Sequence, residues 1–203
     1  MTRRIHTPIL TTFILIAGFC AISASAVHAQ TPLSLSSAVV SIDGTSNIHD
    51  FTASTKDVRM TKLVIARGGS AASLIANPTT VEAFEIVIKA ASLSSPKDGL
   101  DKNMHKALKV TEFPEIVFRL NRLEGSGPAL KAFGSLKIAG VEKDIVMDIK
   151  VAATATTLTV SGQLPMLMTD YGIAAPKAMM GMLKTSPKIT VKFETVLAVP
   201  TTY

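Results

Sequence analysis

The chain has 203 residues, 47% of them apolar and 5% aromatic, without tryptophan, and its 21 Lys and Arg against 15 Asp and Glu give a net charge of +6. The basic residues are scattered rather than clustered and are not interleaved with aromatics, so the composition does not support nucleic-acid binding. The single cysteine, Cys20, excludes an internal disulfide framework.

The segment Met1 to Ala29 carries Arg3 and Arg4, an apolar run over 8–22, and small residues ending in Val27, His28 and Ala29. That order predicts a secretory signal peptide cleaved after Ala29, and hence a soluble periplasmic protein; the apolar run is short for a membrane span. Cys20 follows Phe19, a bulky residue where lipoprotein processing takes a small one. Without the leader, the basic residues fall from 21 to 19 against the same 15 acidic ones, a net charge of +4 on Gln30 to Tyr203. That part reads as one domain, long enough to bury roughly 70% of its unfolded surface. With no cysteine left, burial must hold it together.

In chain order, "SSAVVSID" is followed by less regular strands between Asn47 and Ala66, and then by a series of segments with period two. In "VEAFEIVIKA", Phe84, Ile86, Ile88 and Ala90 oppose Glu85 and Lys89, with Glu82 as the exception. The stretch 99–110 breaks the pattern: Leu100, Met104, Ala107 and Leu108 form one helical stripe, with Lys102, Lys106 and Lys109 opposite. Alternation resumes in "PEIVFRL", "GSLKIAG", "KDIVMDIKV", "TLTVSGQL" and "KITVKFETVL", placing Phe118, Met147 and Phe193 on the apolar side. Between the last two lies a long connection, Pro165 to Pro187, holding five of the eight methionines left after leader removal. Breakers at Gly68-Gly69, 125–127, Gly140 and 152–157 suit hairpins.

One wet and one dry face per strand predicts an antiparallel sheet. About eight such strands remove their edges most simply by closing into a barrel, whose interior either fills with side chains or holds one small ligand. The interior candidates are Phe84, Ile86, Ile88, Phe118, Met147 and Phe193, with Met104 and Leu108 presented by the helix. Methionines fill irregular gaps and also line adaptable apolar surfaces. The 165–187 connection therefore reads either as core filler or as a lid made of Met168, Tyr171, Met179 and Met182.

Two histidines follow the leader. His49 shares parity with Phe51 and Ala53, so an unbroken strand points it inward, either fixing strand ends or meeting a ligand headgroup. His105 stands four positions after Asp101, at a spacing where the two side chains meet on a helix; a headgroup contact is its other reading. Ser46, His49 and Asp50 have the ingredients of a hydrolytic triad, but they sit side by side in one short stretch rather than converging from separate elements. No HxH or HxxxH spacing is present, and no metal site is expected.

The motifs "DGTSNIHDF", "LDKNMHKALKVTEFPEIVFRL", "GSLKIAGVEKDIVMDI", "LMTDYGI" and "GMLKTSPKITVKFE", in that order, resemble those of the YceI-like family of exported polyisoprenoid-binding proteins. The resemblance runs from about Val40 to Leu197. It implies a mainly β fold, an eight-stranded antiparallel lipocalin-like barrel with a short amphipathic helix. It further implies a long isoprenoid ligand, such as a quinone tail or polyprenyl phosphate, held in an apolar cavity, residence in the periplasm, and neither cofactor nor catalysis. Many relatives have tryptophan just after the histidine of the first motif, where this chain has Asp50 and Phe51. The expected function is thus a lipid carrier, monomeric or homodimeric, in transient contact with a membrane surface. Its rivals are an interaction or stress-protection module with a filled core and, more remotely, a secreted hydrolase.

Overall fold

The computed structural model describes residues 33–65, 76–77, 80–178 and 182–199. The expected leader, the Gly68-Gly69 turn and Met179 lie outside these residues. The strands are β1 (Ser34–Ser46), β2 (Asp50–Thr55), β3 (Val58–Ile65), β4 (Val81–Lys89), β5 (Glu115–Ser126), β6 (Ala129–Ile138), β7 (Val141–Ala153), β8 (Thr157–Leu167), β9 (Lys177–Ala178) and β10 (Leu183–Ala198). A helix, α1 (Asp98–Leu108), separates β4 from β5.

Among the described residues, nine strands form one antiparallel path in the order β2-β1-β10-β8-β7-β6-β5-β4-β3, and the short β9 pairs with β10. The expectation of eight strands closing completely is corrected on both points. The irregular stretch over 47–66 holds two strands, split at Lys56-Asp57, and β2 and β3 share no ladder. The free edge of β2 is instead engaged by the chain after β4, where Ser54 and Ser94 exchange backbone hydrogen bonds of 2.8 and 3.0 Å. The sheet is a strongly curled half-barrel.

Alternation sets which face is dry. On β7, Met147, Ile149 and Val151 are buried inside, while Asp144, Asp148 and Lys150 are exposed. The outer face carries cross-strand ion pairs: Arg119–Glu85 (2.6 Å), Lys131–Asp148 (2.8 Å), Lys192–Asp43 (2.6 Å) and Arg59–Glu115 (2.7 Å). Each such exposed pair contributes at most about 1 kcal/mol. A one-residue slip would break them all while turning the apolar set outward. Lys192 and Thr52 hold the Asp43 carboxyl below its ordinary value, as Thr61 and Arg119 do for Glu85. Their contribution is complete above the unfolded carboxyl values and fades as pH falls through the lowered ones.

Three of the large inward rings lie against glycines. Gly162 is the cross-strand partner of Phe193, and a Cβ on it would stand 2.8 Å from Phe193 Cζ and 2.9 Å from the Asp148 carbonyl oxygen. Gly44 is likewise opposite Phe51, whose ring occupies the place of the missing Cβ, and Gly134 leaves room for the Phe118 ring at 2.7 Å. The rings therefore lie along the wall instead of projecting across the interior.

The helix spans Asp98–Leu108, close to the expected 99–110. Its end is a Schellman arrangement: Lys109 is left-handed (φ 53°) and the Val110 amide donates to the His105 carbonyl at 3.2 Å. The 165–187 connection is shorter than expected, since Pro165 to Leu167 complete β8 and Leu183 onward belongs to β10. A 3₁₀ turn, Met168–Tyr171, lies in between and buries Met168 and Tyr171, the latter only 3% exposed. Burial, with the Asp170 charge, holds the Tyr171 phenol above the ordinary tyrosine value.

Three outcomes are expected. Phe118 is 8% exposed and the neighbouring Arg119 side chain 46%, so Phe118→Lys should cost several kcal/mol and Arg119→Ala no more than about 1 kcal/mol, by urea denaturation. Gly162→Ala should destabilise by about 1 to 3 kcal/mol, because the Asp148 carbonyl cannot step aside as the ring can. Ultraviolet titration of the wild type against Tyr171→Phe should show that the phenol removed ionises above about 10. Its contribution to stability is full below the unfolded value and lost as pH rises through the folded one.

Candidate functional site

The curled sheet encloses two apolar chambers. The first, about 110 Å³, lies under α1: Leu100, Met104, Ala107 and Leu108 form its roof, and Phe51, Met166, Met168, Ile173, Pro176 and Thr185 complete it toward that end of the sheet. The second, about 150 Å³, is walled by strand residues including Phe84, Ile86, Phe118, Leu123, Ile145, Met147, Ile149 and Phe193. Val40, Ile88, Leu136 and Val191, from β1, β4, β6 and β10, line both. These four make a waist between the chambers.

Among the described residues, Thr185 is the one polar side chain lining the first chamber and Thr195 the one lining the second. No carboxylate, amine, imidazole or thiol of these residues faces either space, so the lining offers neither an activated nucleophile nor a proton-transfer group. An apolar cavity of about 150 Å³ stays dry and admits a molecule the size of benzene. Each chamber as it stands is of that order. The methionines at positions 104, 147, 166 and 168 give the walls adaptable side chains.

The structure places Phe84, Ile86, Ile88, Phe118, Met147 and Phe193 in the wall of the second chamber, and Ile88, Met104, Leu108 and Met168 in that of the first. The lid expectation is corrected at two positions. Tyr171 packs into the core and lines neither chamber, and Met182 is 71% exposed. Leu136 and Val191 fall on the apolar side of the alternation in "GSLKIAG" and "KITVKFETVL", but nothing in the sequence marks them as the meeting point of two spaces.

The histidines depart from expectation for local reasons. β1 ends at Ser46 and β2 starts at Asp50, so the parity of Phe51 does not extend back to His49. Ser46 instead closes a turn: its amide and hydroxyl donate to the His49 carbonyl at 3.0 and 2.8 Å, and the hydroxyl accepts the His49 amide at 3.1 Å. His49 is exposed, with Nε2 3.0 Å from Lys97 Nζ. A Ser46 hydroxyl held by backbone and an imidazole facing an ammonium do not assemble a hydrolytic triad. His105 does not meet Asp101; its Nε2 lies 2.7 Å from the Leu93 carbonyl oxygen, while Asp101 accepts the Ser95 amide at 2.8 Å. The pair thereby ties α1 to the chain before it. Among the described residues no group of three or more His, Cys, Asp or Glu could hold a metal ion.

The YceI-like domain matches residues 35–197. Among solved structures, Burkholderia cenocepacia BcnA is similar with a TM-score of 0.63 at 14% identity, covering 78% of this chain and 95% of that one. A polyisoprenoid binding domain from Saccharophagus degradans, implicated in plant cell wall breakdown, gives 0.62 at 16% identity over 83% of this chain and 98% of that one. The Campylobacter jejuni YceI protein gives 0.56 at 18% identity, covering 95% and 100%. No curated protein matches in sequence. These likenesses show a shared fold, and the domain match over 35–197 shows the family: the chain belongs to the YceI-like proteins.

Proposed function

We propose that this protein is a periplasmic carrier that holds the tail of a long isoprenoid lipid in the two chambers. The observation that carries the proposal is the pair of almost wholly apolar spaces meeting at a common waist. The family and its polyisoprenoid-binding relative support the ligand class, and the leader-like segment Met1 to Ala29 supports export. Each methylene moved from water into such a space contributes about 0.8 kcal/mol. A linear chain needs a narrow dry tunnel more than any specific side chain, and it can fill both chambers only by threading the ring of Val40, Ile88, Leu136 and Val191. Methionines yielding along the wall provide the remaining room.

Protein purified from its native compartment should release an isoprenoid lipid into an organic extract, identified by mass spectrometry. An extract without apolar lipid, from protein that also binds no isoprenoid alcohol, would reject the carrier. Location of the binding is tested with geraniol, farnesol, geranylgeraniol and solanesol. Val191→Phe narrows the waist, so it should weaken solanesol at least about tenfold, equivalent to about 1.4 kcal/mol, while geraniol, short enough for one chamber, changes little. An equal loss for all four alcohols would place the ligand outside the tunnel.

A further inference from the structure

The two most exposed large apolar side chains among the described residues are Met182, 71% exposed, and Ile48, 60% exposed. They are far apart in sequence, yet one side chain brings them to the same tip. Asn47 donates from Nδ2 to the Met182 carbonyl at 2.9 Å and accepts the Lys184 amide on Oδ1 at 2.8 Å, and its own amide donates to the Lys184 carbonyl at 3.1 Å. Three hydrogen bonds thus clamp the β1–β2 turn to the start of β10. Neither apolar side chain lines a chamber, but each stands three positions from one that lines the first: Ile48 from Phe51, and Met182 from Thr185.

The charges beside this tip are mixed with a cationic excess. Lys97 reaches His49 on the tip turn at 3.0 Å and makes no ion pair among the described residues, and Lys184 and Lys188 are exposed on β10; the carboxylates of Asp50 and Asp98 are the chain neighbours of His49 and Lys97. Two protruding apolar side chains on segments tied together through Asn47, with lysines on the same segments, match the interface of an anionic bilayer, where apolar groups enter the headgroup boundary and ammonium groups stay with the phosphates.

We infer that the Ile48–Met182 tip is the surface with which the protein settles on an anionic lipid bilayer, bringing the end of the first chamber lined by Phe51 and Thr185 toward the membrane. The use of this contact for loading rests on the carrier reading above. Two side chains of this size give weak, reversible attachment, below that of stable anchoring, which takes two strong signals. Reversibility suits a protein that must leave with its ligand.

The test compares the wild type with an Ile48→Ser/Met182→Ser double variant on vesicles of phosphatidylethanolamine and phosphatidylglycerol carrying solanesol. Flotation reads attachment, and solanesol recovered with vesicle-free protein reads uptake. The double variant should float about tenfold less and take up solanesol correspondingly more slowly, with farnesol affinity in solution unchanged within about twofold. Lys97→Gln/Lys184→Gln should weaken flotation on these vesicles but not on purely zwitterionic ones. Equal flotation of wild type and double variant, or none by the wild type, overturns the inference and leaves the tip to a protein partner. If the wild type floats, the double variant does not, and neither takes up solanesol, the membrane contact stands while the carrier reading fails.

Discussion

When an antiparallel sheet curls around its own apolar face, the inward side chains decide whether the space is filled, and here three glycines govern the outcome. Gly44, Gly134 and Gly162 give up their Cβ atoms where Phe51, Phe118 and Phe193 need room. Side chains stand roughly perpendicular to their sheet, so a ring takes up interior volume unless a gap beside it lets it lie down. With the glycine beneath it, the ring contributes its apolar area to the wall and takes little from the volume. Leu, Ile, Val and Met then complete a lining that encloses space without closing it.

An unfilled interior is costly. Atoms facing a void lack partners for dispersion, and at about 24 cal/mol per Å³ of residual cavity the two chambers together forgo several kcal/mol. The fold tolerates this because its specification lies elsewhere, in the ladders and in the alternating polar face, where register is fixed by many small contributions. A flexible apolar chain entering the chambers restores the missing contacts. Stability and occupancy are therefore linked through the same volume.

Much of this was legible in the sequence because period two is a strong local signal. Phe84, Ile86, Phe118, Met147 and Phe193 sit where alternation put them, and the apolar stripe of the helix faces the interior. His49 was misplaced because parity is reset by any turn, and the turn at Ser46 depends on hydroxyl–backbone bonds rather than on glycine or proline. The point where 47–66 divides into β2 and β3 was hidden for a similar reason: Lys56-Asp57 carries no strong breaker. The methionines of 165–187 drew attention to an apolar lid, yet two of its expected members went elsewhere, Tyr171 into the core and Met182 into solvent. The pairing of phenylalanine with glycine was beyond reach, since it depends on register between strands such as β8 and β10, which the 3₁₀ turn and β9 separate along the chain.

The partnership of β1 with β10 sets the order in which the molecule can be completed. The first strand has its longest ladder, from Ser34↔Ala198 to Ser46↔Thr185, with the last strand of the chain, and only the shorter one, from Val40↔Thr55 to Thr45↔Asp50, with its neighbour β2. The β4-to-β7 meander draws on near neighbours and can form while much of the polypeptide is still elsewhere, whereas β1 must wait for β10. Such distant pairing slows folding, because the loop entropy is lost before the contacts form. The leading strand has only a marginal hairpin with β2 until the trailing one arrives, so the sheet is completed only once the last strand of the chain is available to pair.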